Sequence, residues 1–559
     1  MTQAEGYRRI DPVEPARAPR IDELVWRRAA EAPQAPAIID GSSTTTYGEL
    51  VARAEDLAAR LLAAGVGRGD PVAILLDRSA RFVTAVVGVL RAGAACLLLS
   101  PADPTARTAT LLAAVEPAVV ITDDEQRDEL ERSGLRVLTV PAGAGPAGVA
   151  VTPPPADPSD LAFVMSTSGS AGTPKAVRIS HADYTAQLGW IQHNLGLGAE
   201  DRVLVKAPTS FVSMLRQLIW PLAAGAALVI VAPGGEFDGP LMGRLIDEHR
   251  VSFLTFISPA LGAFLQHADL DGASVRNVVT GGDRFPIGMA ARFFEVFGSA
   301  RLHHTYGMTE TILVSCALLT GPGADELGMG PVLPGAYAFV LGPDRRPVAP
   351  GEVGELFVGG VGLTTGYLGR PDLDRERFVE LPQLAAGRLF ATRDRARLRA
   401  DGTFELVGRS DTMVKVRGFR VELGEIEHAL RSCPGVTHAV CRADTDAAAD
   451  TRIVAFVQTE LPEPRIDAVL RAQLRDKLPY YMIPNRFVRL AEIPLTANGK
   501  VDRARLPEVA SLSRPETVAT PGRRPGLELP EVVRAAWRTI LKSDRAEEGT
   551  TSSRPAARR

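Results

Sequence analysis

Residues 167–175 read TSGSAGTPK and directly follow the apolar run LAFVM. Hydroxyls, glycines and a terminal lysine in one loop behind a strand offer a polyphosphate close backbone N–H groups, donors and a neutralising ammonium. The loop is not a Walker A motif, because Pro174 precedes Lys175 where that motif needs Gly before Lys at a helix start. The same composition also suits an ordinary surface loop. A second stretch, SFVSMLRQ at 210–217, runs into LIWPLAAGAALVIVAP. Read as a helix, Phe211, Leu215, Leu218 and Leu222 recur at i, i+4, i+7 and i+11 and form a face built for burial. Arg216 lies about 100° round from Leu215, on a second face with Val212, Ser213 and Trp220. Pattern alone turns that face to solvent.

These residues need a large scaffold. The chain has 559 residues, 45% hydrophobic and 23% charged, with a formal charge of -3. That is globular, of about three folding units, and without the charge bias expected for a nucleic acid partner. From Ile21 to Val140 helical stretches alternate with short aliphatic runs, the pattern of parallel sheet layered with helices. A Pro/Ala/Gly-rich linker leads to a second α/β stretch ending near Val340, then to a Gly-rich region of short strands. A compact α+β unit follows GRSD at 408–411, and the tail from Ser511 opens with Pro, Ser and Arg. The fold class expected is α/β: a large N-terminal domain of two α/β sheet subdomains plus a distorted β-barrel (1–408), and a small mobile α+β domain (409–508). The tail, 509–559, is expected to end in disorder. Cys96, Cys316, Cys433 and Cys441 have neither zinc nor disulfide-framework spacing. The amino terminus lacks a signal-peptide core and no run reaches membrane-span length, so a cytoplasmic protein off the membrane is expected.

Beyond the loop, TTTYGEL (44–50), LRAGAACLLLSPADP (90–104), TYGMTET (305–311), GELFVGGVGLTTGYLGRP (354–371), TRDRARL (392–398), GRSDTMVKVRGFRVELGEIE (408–427), LPYYMIP (478–484) and NGKVDR (498–503) follow in order. Together with TSGSAGTPK they resemble the adenylate-forming superfamily, which holds nonribosomal peptide synthetase adenylation domains, acyl-CoA synthetases and luciferases. The longer motifs are most similar to the adenylation domains, whereas Met308 in YGMTE leans toward acyl-CoA synthetases. The resemblance spans residues 20 to 508.

It implies a reaction joining a carboxylate to the α-phosphate of ATP, with Mg2+, followed by acyl transfer to a thiol. By this resemblance Thr167, Ser168, Gly169, Ser170, Gly172, Thr173 and Lys175 hold phosphates, and Glu310 helps bind Mg2+. Tyr306 stacks on adenine, with Gly281, Gly282, Asp283, His304, Thr305 and Thr309 near the nucleotide. Asp394 accepts the ribose hydroxyls with support from Arg409. Lys500 bridges the substrate carboxylate and the α-phosphate. Asp411 is the implied hinge about which the small domain exchanges Lys500 for the VKVRGFRVELGE face, where Gly418 leaves room for a pantetheine arm. Arg393 stands where the family has Gly, His304 where it has Asn, and Ala171 and Ala176 replace Thr and Gly. Arg393 is expected to add a cation near the ribose.

The resemblance also implies a substrate pocket of Phe211, Val212, Ser213, Arg216, Phe256, Val278, Thr280, Thr305, Leu313 and Val314. Amino-acid-activating relatives carry an Asp at the position of Val212, and this set has no acid. The substrate expected is therefore a carboxylic acid other than a standard α-amino acid, with an anionic or strongly polar group facing Arg216. LELPEVVRAAWRTIL in the tail looks like the first helix of a carrier protein, yet no attachment serine follows. The acceptor expected is thus a phosphopantetheinylated carrier in trans, in natural-product biosynthesis. CoA or an amine is the alternative acceptor, and an inactive nucleotide-binding homologue is the alternative of another class.

Overall fold

A computed structural model describes residues 19–140, 157–169, 174–267, 270–283, 285, 288–321, 328–385, 387–445, 451–494 and 501–507. Ser170, Gly172, Thr173, Lys500 and the carrier-like stretch lie outside the described residues.

Two large sheets carry the molecule. One has seven strands in the order Gly366–Tyr367, Lys175–Ser180, Leu161–Thr167, Ala95–Leu99, Pro71–Leu75, Val119–Thr122 and Val137–Thr139. The run from Leu161–Thr167 to Val137–Thr139 is parallel, but Lys175–Ser180 pairs antiparallel with Leu161–Thr167. Thr167 and Lys175, on either side of the glycine- and serine-rich stretch, are thereby paired.

The other sheet has eight strands: Ser315–Leu319, Arg301–Tyr306, Asn277–Gly281, Phe253–Ile257, Arg202–Val205, Ala227–Ile230, Pro36–Asp40 and Ser43–Thr46. All but the two edge strands run parallel. Parallel strands place their carboxyl ends side by side, and in α/β sheets that edge opens the crevice where ligands bind. Here Lys206, Ser258, Gly282 and Gly307 follow the ends of four such strands.

The helix Val212–Ala224 packs on this sheet and ends at Gly225, whose φ of 89° suits a left-handed cap. Leu215, Leu218 and Leu222 are fully buried, as the spacing predicts. Trp220, on the face that pattern alone turns to solvent, is buried instead, edge-on to Phe253 at 4.9 Å, because its ring packs into the core against the sheet. Val212, Ser213 and Arg216, in the first two turns, are half-buried rather than solvated.

The Gly-rich region forms a five-stranded antiparallel sheet, Ala336–Leu341, Val353–Gly360, Arg388–Leu398 and Phe378–Glu380, with Phe404–Arg409 also on Arg388–Leu398. Beyond it lie a hairpin (Met413–Val416 with Phe419–Glu422), the helix Leu423–Arg431 and a three-stranded sheet. These later elements share a core of their own, including Val421, Ile426, Leu430, Val457 and Leu470. No helix among the described residues is long and apolar enough to cross a membrane.

Leu218→Ala removes a fully buried side chain and should cost about 2–5 kcal/mol, read as a lower urea midpoint. Leu62→Ala, at an exposed position, should stay within about 0.5 kcal/mol of the parent.

Candidate active site

Two cavities open at the crevice. The smaller, about 160 Å3, is lined by Thr167, Ser168, Tyr306, Thr309, Asp394 and Arg409 among others. The larger, about 640 Å3, is lined by Phe211, Val212, Ser213, Arg216, Phe256, Thr280, Thr305 and Leu313 among others. Phe211, Val212, Gly282, Gly307, Met308 and Gly418 line both, so the two spaces abut.

In the smaller cavity Asp394 accepts from the Tyr306 hydroxyl at 2.6 Å and pairs with Arg409. Arg409 also grips Asp411 through two bonds of 2.7 Å. Burial, with Asp394 beside it, pushes the Tyr306 phenol well above its usual range, so the phenol keeps its proton and donates.

Glu310 is fully buried and accepts from Tyr367 Oη at 2.7 Å and from Arg420 at 2.9 and 3.0 Å. Burial alone would raise its pKa, but Arg420, Arg377 and the Tyr367 hydroxyl pull it down to about 2. An anion thus persists in the core because cations and a donor surround it.

Arg420 reaches Glu310 because the hairpin of Met413–Val416 and Phe419–Glu422 is seated on the crevice. Its two-residue turn has positive φ at both Arg417 (50°) and Gly418 (80°), the geometry that matches strand twist in a tight hairpin. At Gly418 a Cβ would stand 2.5 Å from Ile257, so glycine is also required for this approach. Phe419 stacks on Tyr481 at 4.2 Å and meets Phe211 edge-on at 5.3 Å. Lys415 lines the smaller cavity, and burial lowers its ammonium pKa against the opposing pull of Asp394 and Asp283.

The phosphate-type loop has carboxylates on its donors. The Gly169 N–H donates to Glu425 at 3.1 Å, and Glu425 also pairs with Arg107. Lys175 faces Glu422 at 3.8 Å, and Ser168 Oγ donates to the Arg420 carbonyl at 3.1 Å. The described ends of the loop, the Gly169 N–H and Lys175, thus each face an anion.

Several expected positions fall elsewhere. Val278 and Val314 are buried and line neither cavity: Val278 sits mid-strand in the core, and the backbone of Val314 bonds Tyr306 and Leu333. His304 and Asp283 also line neither; the buried His304 ring sits 3.3 Å from the Asp283 carbonyl. Arg393 adds no cation to the cavity, because Glu376 holds its guanidinium at 2.8 Å. Its φ of 64° explains why glycine suits that position. The pocket is not free of acid. Glu236 lines it, but Arg78 neutralises that carboxylate at 2.5 Å. Lys206, Glu236, Phe264, Lys415 and Arg420 join the cavities without having been expected. For Lys206 a signal existed, a charged residue directly after a parallel strand. Arg216 does line the larger cavity, and among the described residues its side chain makes no hydrogen bond or ion pair.

The AMP-binding enzyme family model matches residues 25–368, and that of the AMP-binding enzyme C-terminal domain matches residues 425–500. This chain belongs to the AMP-binding enzyme family. It is 35% identical over 530 residues to a plipastatin synthase subunit of Bacillus subtilis, covering 93% of this chain and 20% of that protein. Identity to phosphinothricin tripeptide synthetase PhsB of Streptomyces viridochromogenes is 35% over 537 residues, covering 94% and 45%. The chain thus spans a fifth to under half the length of these relatives. Among solved structures it is similar to NpsA-ThdA, an artificially fused adenylation-PCP di-domain from Klebsiella oxytoca, with TM-score 0.73 and 26% identity, covering 84% of this chain and 93% of that one. Within the adenylate-forming superfamily, then, this family member stands near the adenylation domains of peptide synthetases.

The depressed Glu310 carboxyl fixes a pH signature. Its contribution to stability is full above the ordinary glutamate value of 4.5 and is lost as pH falls from there toward about 2. Glu310→Gln should therefore be clearly less stable than the parent at pH 6, and the gap should narrow as the pH is lowered below 4.5 in urea titrations.

Proposed function

We propose that the chain activates a carboxylic acid with ATP. The substrate carboxylate attacks the α-phosphorus, an acyl–O–P bond forms, the bond to the β-phosphate oxygen breaks, and pyrophosphate leaves. A thiol then attacks the acyl carbon, a thioester forms and AMP departs. Two anions meet in the first half, so fixed cations and dipoles supply the needed stabilisation.

In this reading the smaller cavity takes the nucleotide. Gly169 N–H, Ser168, Lys175 and the adjoining loop hold the β- and γ-phosphates, and Asp394, backed by Arg409 and Tyr306, accepts the ribose hydroxyls. Magnesium, when bound, would neutralise phosphate charge at the Glu310 carboxylate, a hard oxygen ligand already in its ionised form. Lys500 bridges the two reacting anions. The large part of the chain, to residue 408, holds the ATP and acid sites, and the small part from 409 carries Lys500 and turns about Asp411.

The seated hairpin corresponds in this reading to the second half-reaction. Gly418 lies where the two cavities abut, a place from which a thin pantetheine arm reaches the acyl carbon. Lys175 and the Gly169 N–H then face Glu422 and Glu425 in place of phosphates. The acceptor is the phosphopantetheine of a carrier protein, supported by likeness to an adenylation-PCP structure. Offering CoA or a carrier to the preformed adenylate distinguishes the two thiols.

The observation that carries the substrate side is Arg216, which pairs with no group among the described residues, in a cavity whose single described carboxylate is tied to Arg78. An α-ammonium there would lose hydration and gain no counter-ion, at a cost of several kcal/mol. The acid activated is therefore one without an α-ammonium and with a polar or anionic group toward Arg216. A charge-assisted hydrogen bond there contributes about 1.5–3 kcal/mol. Arg216→Ala should lower kcat/KM for the preferred acid roughly 10- to 150-fold in ATP–pyrophosphate exchange. An unaltered kcat/KM would remove Arg216 from the account.

A further inference from the structure

We propose that Lys206 anchors an anionic group at the far end of the acid substrate, making the substrate a carboxylic acid with a second acid group across an apolar middle. The proposal rests on the acid-activating reading above and names the substrate class of that same site.

Lys206 follows the strand Arg202–Val205 at the ligand-binding edge of the eight-stranded sheet. Its backbone is pinned, since Gln217 Oε1 accepts from the N–H groups of Lys206 at 2.8 Å and Ala207 at 3.0 Å. Its ammonium lies 3.9 Å from the ring centre of Phe256, which stacks on Phe264 at 5.1 Å. Lys206, Phe256, Phe264 and Met242 line the larger cavity and not the smaller, which puts them away from the nucleotide. Lys206 is only 9% exposed, and among the described residues its ammonium makes neither a hydrogen bond nor an ion pair.

The acid beside it is already engaged. Glu236 pairs with Arg78, which also donates to the carbonyls of Val231, Ala207 and Ala232. Arg216 and Arg417 are further cations on the same cavity wall, so the cavity carries excess positive charge. Arg216 is a separate anchor: its electrostatic neighbours are Tyr184 and Cys316, whereas those of Lys206 are Arg78 and Glu236. A buried ammonium over an aromatic face with no carboxylate of its own lacks the partner that burial normally demands. A ligand anion supplies it. Phe256, Phe264 and Met242 then pack the carbon skeleton between that anion and the reacting carboxylate. Burial, reinforced by Arg78 and opposed by Glu236, brings the Lys206 pKa down to about 7, so a distal anion binds best below that pH.

The test is ATP–pyrophosphate exchange with matched pairs of acids, aliphatic and aromatic, each a diacid and the monoacid with methyl in place of the far carboxylate. The parent enzyme should prefer diacids. In Lys206→Met that preference should fall roughly 10- to 150-fold, mainly through KM, and Lys206→Arg should restore part of it. The parent's kcat/KM for the diacid should decline as pH rises through about 7, and Lys206→Met should lose that decline. An equal preference in parent and Lys206→Met, or a parent that favours monoacids, overturns the proposal alone, whereas a parent that favours α-amino acids also overturns the substrate side of the reading it rests on. Exchange with no acid at all overturns the acid-activating reading and this proposal with it. If Lys206→Met fails to fold, the comparison of parent with Lys206→Arg and Lys206→Gln reads the same preference.

Discussion

The ion pair between Glu310 and Arg420 is the contact on which the arrangement of the site depends. A carboxylate with no solvent exposure demands a cation, and the one it receives comes from a hairpin over a hundred residues along the chain. Seating Arg420 there sets Gly418 against Ile257, Phe419 against Phe211 and Tyr481, and Glu422 and Glu425 onto the phosphate-type loop. The Glu422 and Glu425 contacts are polar, and those of Phe419 are aromatic. The later elements keep a separate hydrophobic core, so their own fold does not rely on this docking.

Charge complementarity also organises the cavity beside it. Arg78 neutralises Glu236, which leaves Arg216, Lys206 and Arg417 as a cationic wall around an aromatic floor. A cavity of about 640 Å3 has room for a sizeable acid, and polar groups placed on an apolar lining are what fix a ligand's orientation. The substrate reading thus rests on which charges are already paired inside the protein.

Local signals carried much of this into the sequence. The burial of Leu215, Leu218 and Leu222 follows from helical spacing, and the α/β layering follows from alternating helical and aliphatic runs. Sheet membership did not: Pro36–Asp40 crosses to the sheet of the second stretch, and Gly366–Tyr367 returns to the first. Pairings between strands far apart in sequence leave no local periodicity to read. Trp220 is buried although its face was expected to meet solvent, because helical angle says nothing of what packs against that face. Glu236 and Lys206 went unseen for a related reason, since each lies in a connection whose neighbours come from distant segments. Arg393 shows the converse case: motif comparison marked it as unusual, and its left-handed backbone with a Glu376 partner gives the physical cause.

The proposed reaction at this site makes an adenylate from an acid lacking an α-ammonium. The direct measurement is incubation with ATP labelled at the α-phosphate and two acids of one carbon skeleton, one an α-amino acid and the other a diacid, with separation of the labelled products. Labelled acyl-adenylate should form from the diacid and none from the amino acid. An adenylate formed from the amino acid in preference would contradict it.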